Sequence, residues 1–347
     1  MEIVKELSAI SLPISEPEYR NLPELSYSTL STYESVGFNG LDHLFDKKES
    51  PSLLFGSCVD AILTGGSDEF YSLYHVADMP SIGDKEKLAA DYLFENYSNS
   101  YKEIDEIPAT YVLEAANVYE FQKNWKDETR IKVLTERCHI YYNIKSLAIG
   151  KTIVDMNTFE DVQNCVRVLR ESPATCGYFA EDDELSPIRR YYQLKFKANF
   201  DGVGYRCMAD LILVDYDKKK VYPCDLKTSG HAEWDFEDSF TQWQYMIQSR
   251  LYWRILKANM SADPYFKDFT LEDYRFIVVN RKTLTPLVWE FPLTKSIGTL
   301  VDEEGKEYRD PFIIGQELQA YLNCRPPVPN GINMDGVNII KCLSKKQ

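Results

Sequence analysis

The sequence predicts an α/β (α+β) protein in which a helical half precedes a strand-rich half. Two textures carry that reading. From about Asp84 to Ser172, apolar residues recur at helical spacing in KEKLAADYLFENY, ATYVLEAANVYEFQKNW and FEDVQNCVRVLRES. Beyond Pro187 the chain turns to short aromatic and β-branched runs separated by turn residues: RRYYQLKFKANF, VGYRCMADLILVDY, KVYPCDLKTS, YRFIVVNRK and TPLVWEFPL.

In chain order, residues 1–25 hold three prolines and no strong periodicity, which suggests an extended N-terminal arm. SYSTLSTYES (26–35) opens on a capping serine and reads as a short helix. SLLFGSCVDAILTGG (52–66) is an apolar helix expected to stop at Gly65-Gly66. Residues 238–259, DSFTQWQYMIQSRLYWRILKAN, make one strong helix, with Trp243, Ile247, Leu251 and Ile255 as its core stripe. Gln244, Gln248 and Tyr252 run beside that stripe and are expected at the rim of a cleft. A last helix covers 311–324, and 326–347 is a Pro/Gly-containing tail. No linker-like stretch separates the halves. One domain over 26–325 is therefore expected, with a helical half at 26–185 and an α/β core at 186–295.

Composition narrows the function. The chain has 347 residues, 44% hydrophobic and 27% charged, enough to bury a core without covalent staples. Its net charge of −15 argues against a protein that coats nucleic acid broadly, because phosphate binding needs Lys and Arg. A confined basic channel beside an acidic metal site stays compatible with that charge. Eight cysteines are scattered without metal-finger spacing, and the four histidines, His43, His75, His139 and His231, show no ligand spacing. No apolar run approaches a membrane span and no secretory signal opens the chain, so a cytoplasmic protein without membrane contact is expected.

The chemistry concentrates in one hairpin, RCMADLILVDYDKKKVYPCDLKTS. A turn centred on Asp217-Lys218 sets Tyr216 opposite Lys219 and carries Asp210 opposite Asp225. Lys227 shares the face of Asp225, because side chains alternate with period two. Met208, Ile212, Val221 and Pro223 on that face are apolar, so two carboxylates there call for a neutralising partner. Mg²⁺, with Mn²⁺ as a substitute, suits such oxygen ligands. The same Asp-x-Lys spacing also suits an ordinary same-face ion pair. Pro223 cannot donate to a ladder, so a bulge or an unpaired edge is expected there. Arg189, Arg190, Lys195 and Lys197, or the tip lysines Lys218, Lys219 and Lys220, could supply a basic wall.

An Asp on one strand, Asp-x-Lys on the next and Gln-x-x-x-Tyr on the following helix form an ordered set: Asp210, Asp225-Leu226-Lys227-Thr228 and Gln248-Ser249-Arg250-Leu251-Tyr252. This resembles the PD-(D/E)XK nuclease superfamily. It looks most like the RecE, or exonuclease VIII-like, branch of phages and prophages, with RecB-type nuclease domains and lambda-type exonuclease as relatives. LSYSTLSTYES and LLFGSCVDAILTG resemble that branch's upstream helices, and the likeness covers about residues 26–293. Asp60 stands where the branch carries a metal-binding His.

The resemblance implies a mixed central sheet flanked by helices, with a restriction-endonuclease-like core. It implies Mg²⁺-dependent hydrolysis of phosphodiester bonds at duplex DNA ends, with 5′-to-3′ polarity by analogy. Asp210 and Asp225 would be metal ligands, Asp60 a third, and Lys227 would orient water or stabilise developing charge. Gln248 and Tyr252 would hold the DNA backbone. A single-strand annealing partner in recombination and a ring-shaped homo-oligomer belong to the same expectation. Two alternatives stand beside it: a catalytically inactive DNA-binding scaffold that kept the fold, and a structure-specific endonuclease.

Overall fold

Each strand-like run beyond Pro187 takes its place in one mixed sheet. The computed structural model describes residues 4–45, 50–183, 185–292, 298–301 and 305–324. The expected tail at 326–347 lies outside the described residues. The helices and strands begin with α1 (Glu16–Arg20), α2 (Tyr27–Val36), α3 (Pro51–Leu73), β1 (Tyr74–Ala77) and α4 (Asp84–Tyr97). They continue through α5 (Ala109–Val118), α6 (Asp127–Leu147), β2 (Thr152–Asp155) and α7 (Met156–Glu171). Next come β3 (Ile188–Phe200), β4 (Val203–Asp215), β5 (Lys220–Thr228), α8 (Phe236–Gln242) and α9 (Tyr245–Ala262). β6 (Thr270–Leu271), β7 (Tyr274–Val279), β8 (Leu287–Phe291), β9 (Leu300–Val301), β10 (Glu307–Tyr308) and α10 (Pro311–Cys324) complete the chain.

Two compact units result: residues 1–53 with 167–347, and residues 54–166. The second unit packs α4, α5 and α6 around Leu93, Val112, Leu134 and Tyr142, all buried. Its strands β1 and β2 pair in parallel, Tyr74 against Thr152. The helical run through SLLFGSCVDAILTGG breaks at its glycines, as expected, but a second helical stretch follows directly. Gly66 adopts φ 74, ψ −168, a conformation open to glycine, and α3 resumes beyond that kink to Leu73.

The first unit is built on the sheet, in the order β3-β4-β5-β7-β8, with β6 also pairing β5. β3, β4 and β5 are antiparallel neighbours; β5 and β7 run parallel, joined through α8 and α9. The hairpin register follows the expected turn centre: Asp215 faces Lys220, and Leu211 faces Cys224. No bulge forms at Pro223, which pairs with Ile212. The Val221 carbonyl accepts from Glu272, so Val221 and Pro223 turn their backbone groups away from β4. Pro223 thus falls between the short ladder to β6 and the ladder to β7 that starts at Cys224, where its missing N–H breaks no bond.

The N-terminal segment does not behave as an extended arm. Leu7, Tyr19 and Leu25 are buried, and Leu25 joins β4 by a parallel bridge to Tyr205. Its N–H donates to Gly204 O at 2.9 Å, and Arg206 N returns a bond of 2.9 Å to Leu25 O. The Arg206 guanidinium donates to the carbonyls of Tyr19, Arg20 and Leu22 at 2.5, 3.0 and 2.7 Å. Backbone groups of β4 that β5 leaves unpaired thereby acquire partners.

The helix expected over 238–259 is two helices. Gln244 sits in the left-handed region at φ 55 and separates α8 from α9. Trp243, expected in the core stripe, is 56% exposed at this junction, while Ile247, Leu251 and Ile255 are buried as expected. α9 is fixed by Arg250, whose buried guanidinium lies 2.8 Å from Asp310 Oδ2. Among the described residues, no helix is long and apolar enough to cross a membrane.

Candidate active site at the fork of β4 and β5

β4 and β5 stop pairing at Leu211 and Cys224. Asp210 and Asp225 are the next residues on either side, so both carboxylates stand where the strands part. Asp225 cannot escape to water, being 1% exposed, and a buried carboxylate must be paired to remain ionised. Its Oδ2 lies 2.6 Å from Lys227 Nζ, while its Oδ1 accepts from Gln248 Nε2. Lys227 Nζ also donates to Gln248 Oε1 at 3.0 Å. Gln248 therefore spans the ion pair, with its amide carbonyl toward the ammonium and its NH₂ toward the carboxylate.

Asp210 reaches across the fork. Its Oδ2 accepts from Leu226 N at 3.2 Å, supplying a bond that the ladder no longer provides. The carboxylate is thereby tied to the residue between Asp225 and Lys227. Tyr245 covers Lys227 from above, with Nζ 4.4 Å from its ring centre. Tyr27, 6.2 Å from the Tyr245 ring, donates from Oη to Trp243 O at 2.5 Å and ties α2 to the α8–α9 junction.

Electrostatics keep Lys227 charged. Burial alone would lower its pKa; the neighbouring acidic groups, Asp225 foremost, outweigh this and hold the ammonium above the ordinary lysine range. Lys227 is thus an electrostatic group, not a proton acceptor, at neutral pH. Burial pushes the hydroxyls of Tyr245, Tyr252 and Tyr274 upward, so all three stay protonated donors.

A divalent cation fits part of this arrangement. Asp225 Oδ2 is buried and makes no hydrogen bond; Lys227 approaches it as a charge without hydrogen-bond geometry. Asp225 and Asp210 are oxygen donors of the kind Mg²⁺ takes, and Mg²⁺ needs only one or two carboxylates, with its other oxygens from water and phosphate; Lys227 Nζ already lies 2.6 Å from Asp225 Oδ2. Among the described residues, no group of three or more His, Cys, Asp or Glu is placed to hold a metal. Asp60 lies half-buried on α3 in the second unit, where its carbonyl accepts from Thr64 Oγ1 at 2.9 Å.

The structure thus brings together Asp210, Asp225, Lys227 and Gln248. Gln248 differs from its expected place at a rim: it is 4% exposed and bonded to both members of the ion pair. Tyr252 is half-buried between two core clusters, with its ring 6.4 Å from that of Tyr274. The expected basic wall is tied up in local bonds. Arg190 pairs with Asp182, Lys197 with Glu24, Lys218 with Asp215 and Lys220 with Glu272. Arg189 donates to the carbonyls of Asp183 and Ser186, and Lys195 Nζ to that of Gln193. His231 is exposed in the loop after β5, its carbonyl held by Asn280.

Sequence reasoning missed Tyr245, although Tyr245, Gln248 and Tyr252 stand at i, i+3 and i+7 of one helix face. It also missed Glu233, a buried carboxylate that accepts from Asn280 N, Thr283 Oγ1 and Thr285 N and fastens the loop after β5 to the β7–β8 turn. Nothing in the local sequence marks Glu233, because its partners lie some fifty residues away.

No protein-family model matches this sequence, and no curated protein matches it either. Among solved structures, the crystal structure of a "Putative exonuclease" from Eubacterium rectale is similar over 90% of this chain and 86% of its own, at 12% identity and a TM-score of 0.43. A likeness that distant carries no argument about activity.

Proposed function

We propose that this chain is a divalent-metal-dependent deoxyribonuclease acting on duplex DNA ends, with its centre at the fork of β4 and β5. One observation carries the reading: Asp225, Lys227 and Gln248 close into one bonded cluster around a buried carboxylate, at the point where Asp210 crosses from the neighbouring strand. An ordinary ion pair would need neither the second carboxylate nor the bridging amide.

Asp225 and Asp210 would hold Mg²⁺ or Mn²⁺. Bound there, the ion would supply Lewis-acid activation of the scissile phosphate and of water. Lys227 would contribute a positive charge where negative charge grows on the phosphate. Gln248 holds the Lys227 ammonium and the Asp225 carboxylate in mutual register. Tyr252 is proposed to contact the DNA backbone. Processive resection from the 5′ strand, a single-strand annealing partner, a homo-oligomeric ring and a role in phage-type recombination extend the same proposal by family resemblance.

The test is degradation of linear duplex DNA with Mg²⁺, with EDTA and Lys227→Ala as controls. Metal-dependent cleavage that Lys227→Ala abolishes is the expected result. Cleavage of circular duplex DNA as well would assign an endonuclease. Absence of cleavage on linear, circular and single-stranded DNA with either metal would refute the proposal and leave a DNA-binding scaffold.

A further inference from the structure

Tyr274 is an anomaly beside the candidate site. It opens β7, whose register sets Phe276 against Asp225 and Val278 against Lys227. Register partners in adjacent strands share a face, so Tyr274, two residues before Phe276, lies on the face that bears Asp225. Its neighbours there form an apolar wall of Phe236, Phe276 and Val278, with the half-buried rings of Tyr252 and Trp253 against it. Tyr274 is 1% exposed, and its hydroxyl is buried with no hydrogen-bond partner.

An orphan hydroxyl in such a wall is costly, and phenylalanine would fill the space without that cost. A second buried polar atom lies on the same face: Asp225 Oδ2, which accepts no hydrogen bond and has the Lys227 ammonium 2.6 Å away. One is a donor and the other an acceptor, and a buried water bonded to both would satisfy each. Burial raises the pKa of the Tyr274 hydroxyl, and the nearby Asp225 carboxylate raises it further.

We propose that Tyr274 is a positioning residue for the metal site: through one buried water, its hydroxyl holds the Asp225 oxygen that faces Lys227 in the orientation that accepts a divalent cation. This rests on the reading of Asp225 as a metal ligand. Outer partners of this kind tune metal affinity by orienting the ligand, with effects of about tenfold to a hundredfold.

The experiment is Mn²⁺ titration by calorimetry on the wild type and Tyr274→Phe, with thermal melts of both in EDTA. The expected result is an Mn²⁺ Kd raised about tenfold in Tyr274→Phe, with an unchanged melting temperature. DNA cleavage should recover at saturating Mn²⁺, because the hydroxyl acts on affinity and not on the reacting atoms. Unchanged Mn²⁺ affinity, with an equal or higher melting temperature, would overturn the proposal and mark Tyr274 as a tolerated orphan. A wild type that takes up no Mn²⁺ would overturn it together with the metal site. A wild type that binds Mn²⁺ yet cuts no DNA refutes only the nuclease reading, and the Tyr274→Phe comparison still decides this one.

Discussion

Removing the charge of Lys227 should destabilise the protein more than removing both charges of its pair. Asp225 is 1% exposed and faces the ammonium at 2.6 Å. Lys227→Met strands the carboxylate, and an uncompensated buried charge costs about 3–5 kcal/mol. Gln248 still donates to Oδ1, which places the loss near the lower end, about 3 kcal/mol. At about 2–4 °C per kcal/mol for a unit of this size, the melting temperature should fall by roughly 6–12 °C. Asp225→Asn with Lys227→Met leaves no charge behind and keeps the oxygen that Gln248 bonds. The double variant should recover most of the loss, giving a coupling of about 2 kcal/mol. Urea and thermal unfolding in EDTA measure this cycle free of metal. The pH dependence follows from the raised pKa of Lys227. A group whose folded pKa is raised contributes stability that is fully present below its unfolded value of about 10.4 and lost as pH rises through the folded one. The coupling should therefore stay flat from about pH 6 to about pH 9. Additive losses within about 0.5 kcal/mol, or a coupling that fades in that window, would refute the pairing.

Two further changes probe the scaffold of the site. Gln248→Leu removes the amide that joins the ion pair and should cost about 1–3 kcal/mol while lowering Mg²⁺-dependent cleavage at least about tenfold; unfolding curves and cleavage rates check both. Arg206→Met removes three bonds to the carbonyls of Tyr19, Arg20 and Leu22 and should cost about 2–4 kcal/mol. Limited proteolysis before Leu25 should then accelerate, and an unchanged digestion rate would show that Leu25's pairing with β4 holds the segment by itself.

Much of the candidate site is legible from the chain. Period-two alternation puts Asp225 and Lys227 on one face, and the polar tip at Asp217-Lys218 fixes the register that brings Asp210 to Asp225. Both are local rules of strand geometry, so they survive without knowledge of the rest of the fold. Other features depend on partners distant in sequence. Gln244 reads as one more helical residue, yet its left-handed backbone breaks the helix and turns Trp243 outward. The N-terminal segment looks like an arm because its periodicity is weak; it is ordered by an edge of β4 that exists only because β5 diverges. Gln248 reads as a rim residue from helix spacing alone, because the spacing does not say which strand the helix covers.

The sequence by itself determined the strand-rich half, the hairpin register and the order Asp, Asp-x-Lys, Gln-x-x-x-Tyr. Tertiary structure alone decided that the strands part at Asp210 and Asp225, that Gln248 bridges the ion pair, and that the Tyr274 hydroxyl is buried on the same face without a protein hydrogen-bond partner. The division is physical. Alternation and turn chemistry act between residues close in the chain, whereas burial and the pairing of polar groups are set by whichever distant segments come to exclude water.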